Sequence, residues 1–148
     1  MDPEGPAPGL GDGQLLDTID REYIEAVVEK TVGSPLLSVE IRHLGGEIGR
    51  SRSHHGALGS FEGEYLMFAV GIAPTPEAKH VIEASVKELL DAVEPWEAEH
   101  TYLNFADSRR KAATLFSSMS YHRLRRIKAM VDPADRIRSN HPIPAARA

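Results

Sequence analysis

Hydrophobic and polar positions follow two different periods along this chain, and each period predicts one type of element. From near Ile19, apolar residues recur at the spacing of one helix face. Asp17 or Asp20 is suited to cap the start of this helix, and Gly33-Ser34-Pro35 ends it. The pattern therefore predicts a first helix before residue 33.

Two later segments have the patterns of strands. Residues 36–44 alternate, with Val39 and Ile41 among the side chains of one face and Glu40 and Arg42 among those of the other. Residues 63–72 are more continuously apolar, which is typical of a central strand. The polar stretch 47–60 between them is predicted to be a loop. Two neighbouring strands are expected to pair antiparallel, but two alone make a poor sheet.

The second half of the chain reads as helices. Thr75-Pro76-Glu77 combines a cap, a proline at the first helical position and an acid in the first turn, and Pro95 ends the helix that they start. Two more helices are predicted near residues 108–116 and 120–131, the last closed by Asp132-Pro133. The order indicates an α+β fold, in which helices cover a small antiparallel sheet and a helical C-terminal segment follows.

The amino-acid composition predicts a flexible N-terminus and argues against several classes of function. Residues 1–14 are dominated by Pro, Gly and Asp, so we expect a flexible arm that buries too little apolar surface to become ordered. The formal net charge of −5 argues against a nucleic-acid or anionic-membrane binder. There are no cysteines, which rules out disulfides and thiolate sites. Without a signal peptide or an apolar run of roughly 20 residues, the expected location is the cytoplasm.

Three motifs that could carry chemistry have a simpler structural explanation. The pair His54-His55 does not naturally chelate one ion, even with His43 nearby, and no carboxylate stands at a recognised spacing, so no metal site is predicted. The basic run 123–128 is interpreted as the solvated face of a helix, because nucleic-acid binding needs interleaved aromatic residues. Gly45-Gly46 favours a turn over a phosphate loop.

Tyr102 and Asn104 form a fourth candidate. In an extended segment, residues two apart point the same way, so these two side chains would face one site. A phenol serves as a general base where its surroundings lower its pKa, and an amide suits the edge of a heterocycle. Taken alone, such a pair is more often structural than functional.

The C-terminal third resembles the berberine-bridge-enzyme-like segment of FAD-linked oxidases of the vanillyl-alcohol-oxidase type. The motifs that carry the resemblance are, in order, Tyr102-x-Asn104-Phe105, Tyr121-x-Arg123-Leu124, Ile127-Lys128, Asp132-Pro133 and Asn140-His141-Pro142-Ile143. Upstream, residues 38–46 and the strand ending in Ala69-Val70-Gly71 resemble the second half of the family's substrate domain. The resemblance implies a partial substrate domain over 15–100 and a berberine-bridge-like segment over 101–148.

The resemblance also implies a chemistry, the oxidation of an alcohol- or amine-type carbon by hydride transfer to FAD. It assigns Tyr102 as the catalytic base that takes a substrate hydroxyl proton. It places Asn104 and Asn140 against the cofactor, and Arg50 and His55 beside the substrate. Plant members use a glutamate after the Gly-Gly turn as base. Arg50 or a neighbour stands at that position here, so that variant of the mechanism is not expected.

The family's FAD-binding domain has no counterpart in this sequence. The resemblance therefore implies that the chain does not bind FAD alone and works with an FAD-binding domain in a separate chain and a small-molecule substrate. One alternative is a non-enzymatic α+β module that binds a partner or forms a homodimer and so hides an unpaired sheet edge. Another is a metal-binding protein that uses the histidine cluster.

Overall fold

Three strands and three helices make up the ordered framework. In the computed structural model, which describes residues 8–146, the strands are β1 (Gly9–Leu16), β2 (Ser38–His43) and β3 (Tyr65–Ile72). The helices are α1 (Arg21–Thr31), α2 (Pro76–Val93) and α3 (Ser118–Val131). Single turns of 3₁₀ helix lie at Glu94–Trp96, Leu103–Phe105 and Ala112–Thr114. None of the helices in this part of the chain has the length and apolarity that crossing a bilayer requires.

The strands form one antiparallel sheet in the order β1-β3-β2. Met67 in the middle of β3 stands opposite Gln14 of β1 and Ile41 of β2. The predictions of an α+β fold, of a central strand over residues 63–72 and of antiparallel pairing are confirmed.

The predicted flexible arm is wrong for residues 9–14, which belong to β1, while residues 1–7 lie outside the described part of the chain. Alternate glycines made the segment resemble a loop, but pairing with β3 orders it. A side chain at Gly13 would begin 2.8 Å from the carbonyl oxygen of Phe105 and 3.0 Å from that of Met67. Glycine is therefore what lets other backbone pack closely against this strand. β1 also supplies the third strand that the pattern did not predict.

α1 and α2 cover one face of the sheet, which we call the helix face. Asp20 caps α1 by accepting a hydrogen bond of 2.8 Å from the Tyr23 N–H, and Thr75 caps α2 by accepting one of 3.2 Å from the Ala78 N–H. Both predicted helix starts are confirmed. The core under these helices consists of Leu16, Tyr23, Met67, Ala69, Ile82, Val86, Leu89 and Val93.

The opposite face, which we call the open face, has a second and smaller core. Its buried residues are Leu15, Leu44, Leu66 and Ala98, with Phe61, Tyr102 and Phe105 packed against them. Because neighbouring residues of a strand point to opposite faces, Leu15 and Leu16 of β1 each serve a different core.

The two outer edges of the sheet differ. Along β1, the Ala98 N–H donates to the Leu15 carbonyl at 2.9 Å, and the Asp107 carboxylate accepts from the Gly11 N–H at 3.2 Å. On the other side, the Leu44 N–H donates to the Glu64 carbonyl of the chain leading into β3 at 2.8 Å. In an antiparallel pair such residues alternate, so residues 39, 41 and 43 direct their N–H and C=O groups outward. No strand within residues 8–146 pairs with them.

The predicted helix near residues 108–116 is wrong. Only one 3₁₀ turn forms there, because the segment before it is tied to β1 and the C-terminal tail. The Arg110 guanidinium donates to the Asp12 carboxylate at 2.7 Å, and the Arg110 N–H donates to His141 Nδ1 at 3.1 Å. The helix predicted over 120–131 is confirmed as part of α3. Asp132 closes it and accepts from the Arg136 N–H at 2.8 Å.

Candidate active site

Tyr102 lies over the small core of the open face. Its ring is half-buried and contacts the rings of Phe61 and Phe105, with centroids 4.0 Å and 5.2 Å apart. The Phe105 N–H donates to the Tyr102 carbonyl at 3.0 Å and closes a 3₁₀ turn. The expected extended segment is therefore wrong, and with it the argument that Asn104 points the same way. Asn104 is exposed on the turn beside Tyr102.

Two charged residues of β2 lie on this face. Arg42 binds the Glu40 carboxylate through two N–H groups at 2.5 Å and 2.7 Å, and its guanidinium lies 4.9 Å from the centroid of the Phe105 ring. The hydrogen bond to Glu40 raises the pKa of Arg42, and the negative charge that Tyr102 can carry raises it further. The same hydrogen bond lowers the pKa of Glu40.

Sequence reasoning gave Glu40 and Arg42 no role. The signal was present in the alternation of β2, which put both on the face opposite to Val39 and Ile41. What the pattern could not show is that Phe105, more than sixty residues later, folds over that face. A cation is thereby placed close to the aromatic group that holds Tyr102.

Both predicted substrate residues, Arg50 and His55, lie in the loop between β2 and β3, but they do not line the same cavity. His55 lines an open cavity of about 250 Å³, together with Phe61 and His100. Its Nδ1 lies 2.7 Å from the Gly59 carbonyl. Because a carbonyl can only accept, Nδ1 carries a proton, and in a neutral imidazole Nε2 is then an acceptor. Arg50 is exposed, donates to the Glu47 carboxylate at 3.0 Å and does not line this cavity.

Asn140 lies in the tail after α3 and is exposed. The tail folds back on the molecule, since the Ala146 N–H donates to the Arg125 carbonyl at 3.0 Å and His141 accepts from Arg110. Within residues 8–146 no hydrogen bond joins Asn140 to Tyr102 or Asn104. Phe61 connects the His55 cavity with Tyr102, whereas Arg50 and Asn140 lie apart from it.

One group of side chains could hold a metal ion, and it does not include the pair His54-His55. In the described part of the chain, only Glu62, Glu99 and His100 bring three ligand atoms within 4.8 Å of one another. Both glutamates are exposed, and an ion pair of 2.8 Å between His100 and Glu62 accounts for much of the closeness. His54 and His55 contact each other edge to face, with centroids 4.9 Å apart.

The open face offers groups suited to one part of the FAD that the family resemblance implies. The rings of Phe61, Tyr102 and Phe105 offer an apolar aromatic surface for a flat ring system, and the exposed amide of Asn104 offers a donor and an acceptor for its edge. The diphosphate is not matched in the same way. The glycine turn at Gly46 has a φ of +72° but opens no helix within the described residues.

Comparisons with known proteins place this fold. Residues 101–144 match the sequence model of the family described as "Berberine and berberine like". Berberine bridge enzyme from Eschscholzia californica has a TM-score of 0.77 and 13% identity, over 93% of this chain and 33% of that one. BBE-like 1 from Physcomitrella patens has a TM-score of 0.82 and 14% identity, over 99% of this chain and 32% of that one.

A third similar structure is Phl p 4, a grass pollen allergen with glucose dehydrogenase activity. It has a TM-score of 0.74 and 15% identity, over 93% of this chain and 33% of that one. None of the curated proteins matches the sequence. The chain thus spans about a third of the length of these solved structures. The resemblance that the C-terminal motifs indicated is confirmed.

Proposed function

We propose that this berberine-bridge-like chain is the C-terminal portion of an FAD-dependent oxidoreductase that oxidises an alcohol- or amine-type carbon. The observation that carries the proposal is the family match over residues 101–144, on a fold shared over 93–99% of the chain. The solved structures are about three times as long. We therefore expect the chain to need an FAD-binding domain supplied by another chain and to be inactive without it.

Tyr102 is the group that we assign to the substrate proton. Phe61 and Phe105 hold its ring, and the Arg42 guanidinium lies on the same face, 4.9 Å from the centroid of the Phe105 ring. The chemistry that bound FAD supplies is acceptance of a hydride from the substrate carbon. Loss of that hydride together with the hydroxyl proton converts an alcohol to a carbonyl compound, and the equivalent loss converts an amine to an imine.

The remaining predicted residues take supporting roles in this proposal. Asn104, on the turn after Tyr102, contacts the edge of the flavin ring, and Asn140 contacts the cofactor from the tail. His55 accepts a hydrogen bond from the substrate through Nε2, because Nδ1 is held by Gly59. Arg50 borders the substrate only after leaving Glu47, with which it is paired.

The cofactor contact can be tested with lumiflavin, which is the bare ring system, and with FAD. Each is titrated into the isotopically labelled chain while the NMR signals of Tyr102, Phe105 and Asn104 are followed. We expect both ligands to shift the same signals with the same weak affinity, because this face fits the ring and not the diphosphate, and stable binding of FAD still needs the FAD-binding domain. Asn104→Ala should weaken both titrations, whereas Glu29→Ala on exposed α1 should not. Unchanged signals at saturating lumiflavin would contradict the assignment.

The reaction can be tested on the tagged chain purified from cells that produce it naturally. We expect flavin absorbance in the preparation, carried by a second chain, and bleaching of that absorbance when an alcohol is added without oxygen. Glucose is the first alcohol to try, because Phl p 4 is a glucose dehydrogenase. Tyr102→Phe keeps the ring packing and should slow bleaching about 100-fold. A colourless preparation, or equal rates in the variant, would count against the proposal.

A further inference from the structure

We propose that the outer edge of β2 is the docking surface for a second copy of this chain, which binds antiparallel with Ile41 on the two-fold axis. β2 pairs with β3 on its inner side. Within residues 8–146, no hydrogen bond joins the outward N–H and C=O groups of Val39, Ile41 and His43 to another segment. The proposal concerns the edge of the sheet, so it does not rest on the flavin chemistry of the open face.

Backbone geometry limits how two copies of β2 can meet. In an antiparallel pair, the outward-directed residues of the two strands must stand opposite each other, because they exchange the N–H···O=C bonds. A two-fold axis places residues at equal distances from the axis opposite each other. An axis at Glu40, Ile41 or Arg42 satisfies both conditions and keeps most of Ser38–His43 paired.

The charges of Glu40 and Arg42 select one of these registers. With the axis at Ile41, Glu40 of each copy stands opposite Arg42 of the other. An axis at Glu40 would place the two Glu40 carboxylates opposite each other, and an axis at Arg42 would do the same to the two guanidinium groups. Opposite charges across a strand pair stabilise it, and like charges destabilise it. Attraction therefore favours the register at Ile41, while repulsion disfavours a slip to either neighbouring register.

Glu40 and Arg42 can bind a second copy without giving up their own contact. Within one chain, Arg42 donates to the Glu40 carboxylate at 2.5 Å and 2.7 Å, and both side chains are nearly half exposed. The carboxylate has further lone pairs and the guanidinium has further N–H donors. Each group can therefore bind its neighbour in the same strand and its counterpart across the axis, so that the charges of the two copies alternate along the contact.

The helix face of the same edge supplies apolar surface. Leu37, Val39 and Ile41 alternate onto that face, and Val39 packs against the core under α1 and α2. Leu37 is 55% exposed, and Ile41 is 42% exposed. An axis at Ile41 brings the two Ile41 side chains together. Each copy then removes from water an apolar side chain that the single chain leaves exposed.

A contact through one strand makes a small interface, so we expect weak association. The register at Ile41 supplies about six backbone hydrogen bonds besides the charge and isoleucine contacts. Interfaces below about 1,200 Å² are typical of transient complexes, and we expect a dissociation constant on the order of 100 µM. The chain is then a monomer in dilute solution. Sedimentation equilibrium of the full chain from about 10 µM to about 1 mM should show the transition to a dimer.

Charge reversals test the register. Glu40→Arg places arginines opposite arginines, and Arg42→Glu places glutamates opposite glutamates, so each should weaken dimerisation more than about tenfold. An equimolar mixture of the two variants restores opposite charges at every contact, and so does the double variant by itself. Both should regain the parent affinity. Glu88→Arg is the matched control, because Glu88 is exposed on α2, which packs over β1 and β3.

A cysteine at the axis tests the position of Ile41 directly. Opposite residues that exchange both backbone bonds have Cα atoms about 5.5 Å apart, a distance that a disulfide spans. The chain has no cysteine of its own, so Ile41→Cys should give a covalent dimer under mild oxidation. Leu37→Cys is the control, because the two copies of this position lie about 27 Å apart in the proposed register. It should stay monomeric.

Several results would overturn the proposal. A parent chain that is still monomeric at about 1 mM would leave the edge to a strand of a different protein. Unchanged association after a single charge reversal, a mixture of variants that fails to recover it, or equal cross-linking of Leu37→Cys and Ile41→Cys would each exclude the register. Circular dichroism of every variant checks that the fold is retained. None of these measurements involves flavin, so their failure leaves the proposed oxidoreductase function standing.

Discussion

β1 and β2 are both outer strands of one sheet, yet within the described residues 8–146 other segments cover the outer side of β1 and none pairs with that of β2. Gly9–Leu16 ends in six buried residues, although three of its eight are glycines. Ser38–His43 has no buried residue, and its Ile41 is 42% exposed. The strand with the poorer β-forming composition is therefore the better buried. Burial of an edge depends here on what packs along it. Ala98 and Asp107 bond to the outer backbone of β1, whereas no strand within residues 8–146 pairs with the outer side of β2.

The largest difference between the edges is expected for aliphatic side chains. Leu15→Ala on β1 removes a side chain that is 1% exposed, and should lower the free energy of unfolding by about 3 kcal/mol. Ile41→Ala on β2 should lower it by about 0.5 kcal/mol. Urea denaturation measures both. Similar losses for the two variants would show that β2 is as well covered as β1.

Substitutions of glycine test whether other backbone packs so closely on β1 that no side chain fits there. Gly13→Val places side-chain atoms against two backbone carbonyls and should cost about 2 kcal/mol. Gly56→Ala is the control, because no atom lies within 4 Å of the added carbon. Thermal unfolding of the two variants gives the comparison, and an unchanged midpoint for Gly13→Val would remove the explanation for the glycines of β1.

Loss of an ion pair should also lower stability more on β1 than on β2. Asp12→Asn keeps the shape but weakens the bond to Arg110, whose side chain is 33% exposed, so we expect a loss of about 1 kcal/mol. The pair of Glu40 with Arg42 on β2 is more exposed, and Glu40→Gln should change stability little at neutral pH. A double-mutant cycle for each pair measures the coupling. A stronger coupling on β2 would reverse the order.

The smallest expected effect is on the pH dependence of stability, which should have opposite signs for Glu97 beside β1 and Glu40 on β2. Burial raises the pKa of Glu97 beside β1 above 4.5, so ionisation of Glu97 in the folded state is disfavoured and stability is lost as the pH rises through that value. Arg42 lowers the pKa of Glu40 below 4.5, so that contribution is present above 4.5 and is lost as the pH falls.

The free energies of unfolding of Glu97→Gln and Glu40→Gln should therefore change in opposite directions as the pH rises from below to above 4.5, the ordinary glutamate pKa. Relative to the parent chain, Glu97→Gln should gain stability on going to neutral pH and Glu40→Gln should lose it. Denaturation midpoints measured across that range check both slopes. Slopes of the same sign would contradict the assigned causes.

The sequence correctly predicted those helices and strands whose position depends on residues within the element itself. Thr75-Pro76-Glu77 supplies a cap, a fixed φ and a favourable charge within one turn, and α2 begins there. The continuous apolar run before Pro74 can be buried on both faces only in the middle of a sheet, which is where β3 lies.

The failures come from contacts between distant residues. The glycines of β1 fit a strand only because Phe105 and Met67 come close to them, and neither is near in sequence. Residues 108–110 have no helix because their side chains bind Asp12, about one hundred positions earlier. The prediction that Tyr102 is functional came from family resemblance.

The unequal edges set a limit on how far this molecule can polymerise. An unpaired strand is a template for another copy of itself, and sheets with two free edges can extend into fibres. Among residues 8–146, no segment bonds to the outer side of β2, whereas Ala98 and Asp107 already bond to the backbone of β1. Two copies that joined through β2 would form one six-stranded sheet with both ends closed, so we expect growth to stop at a homodimer.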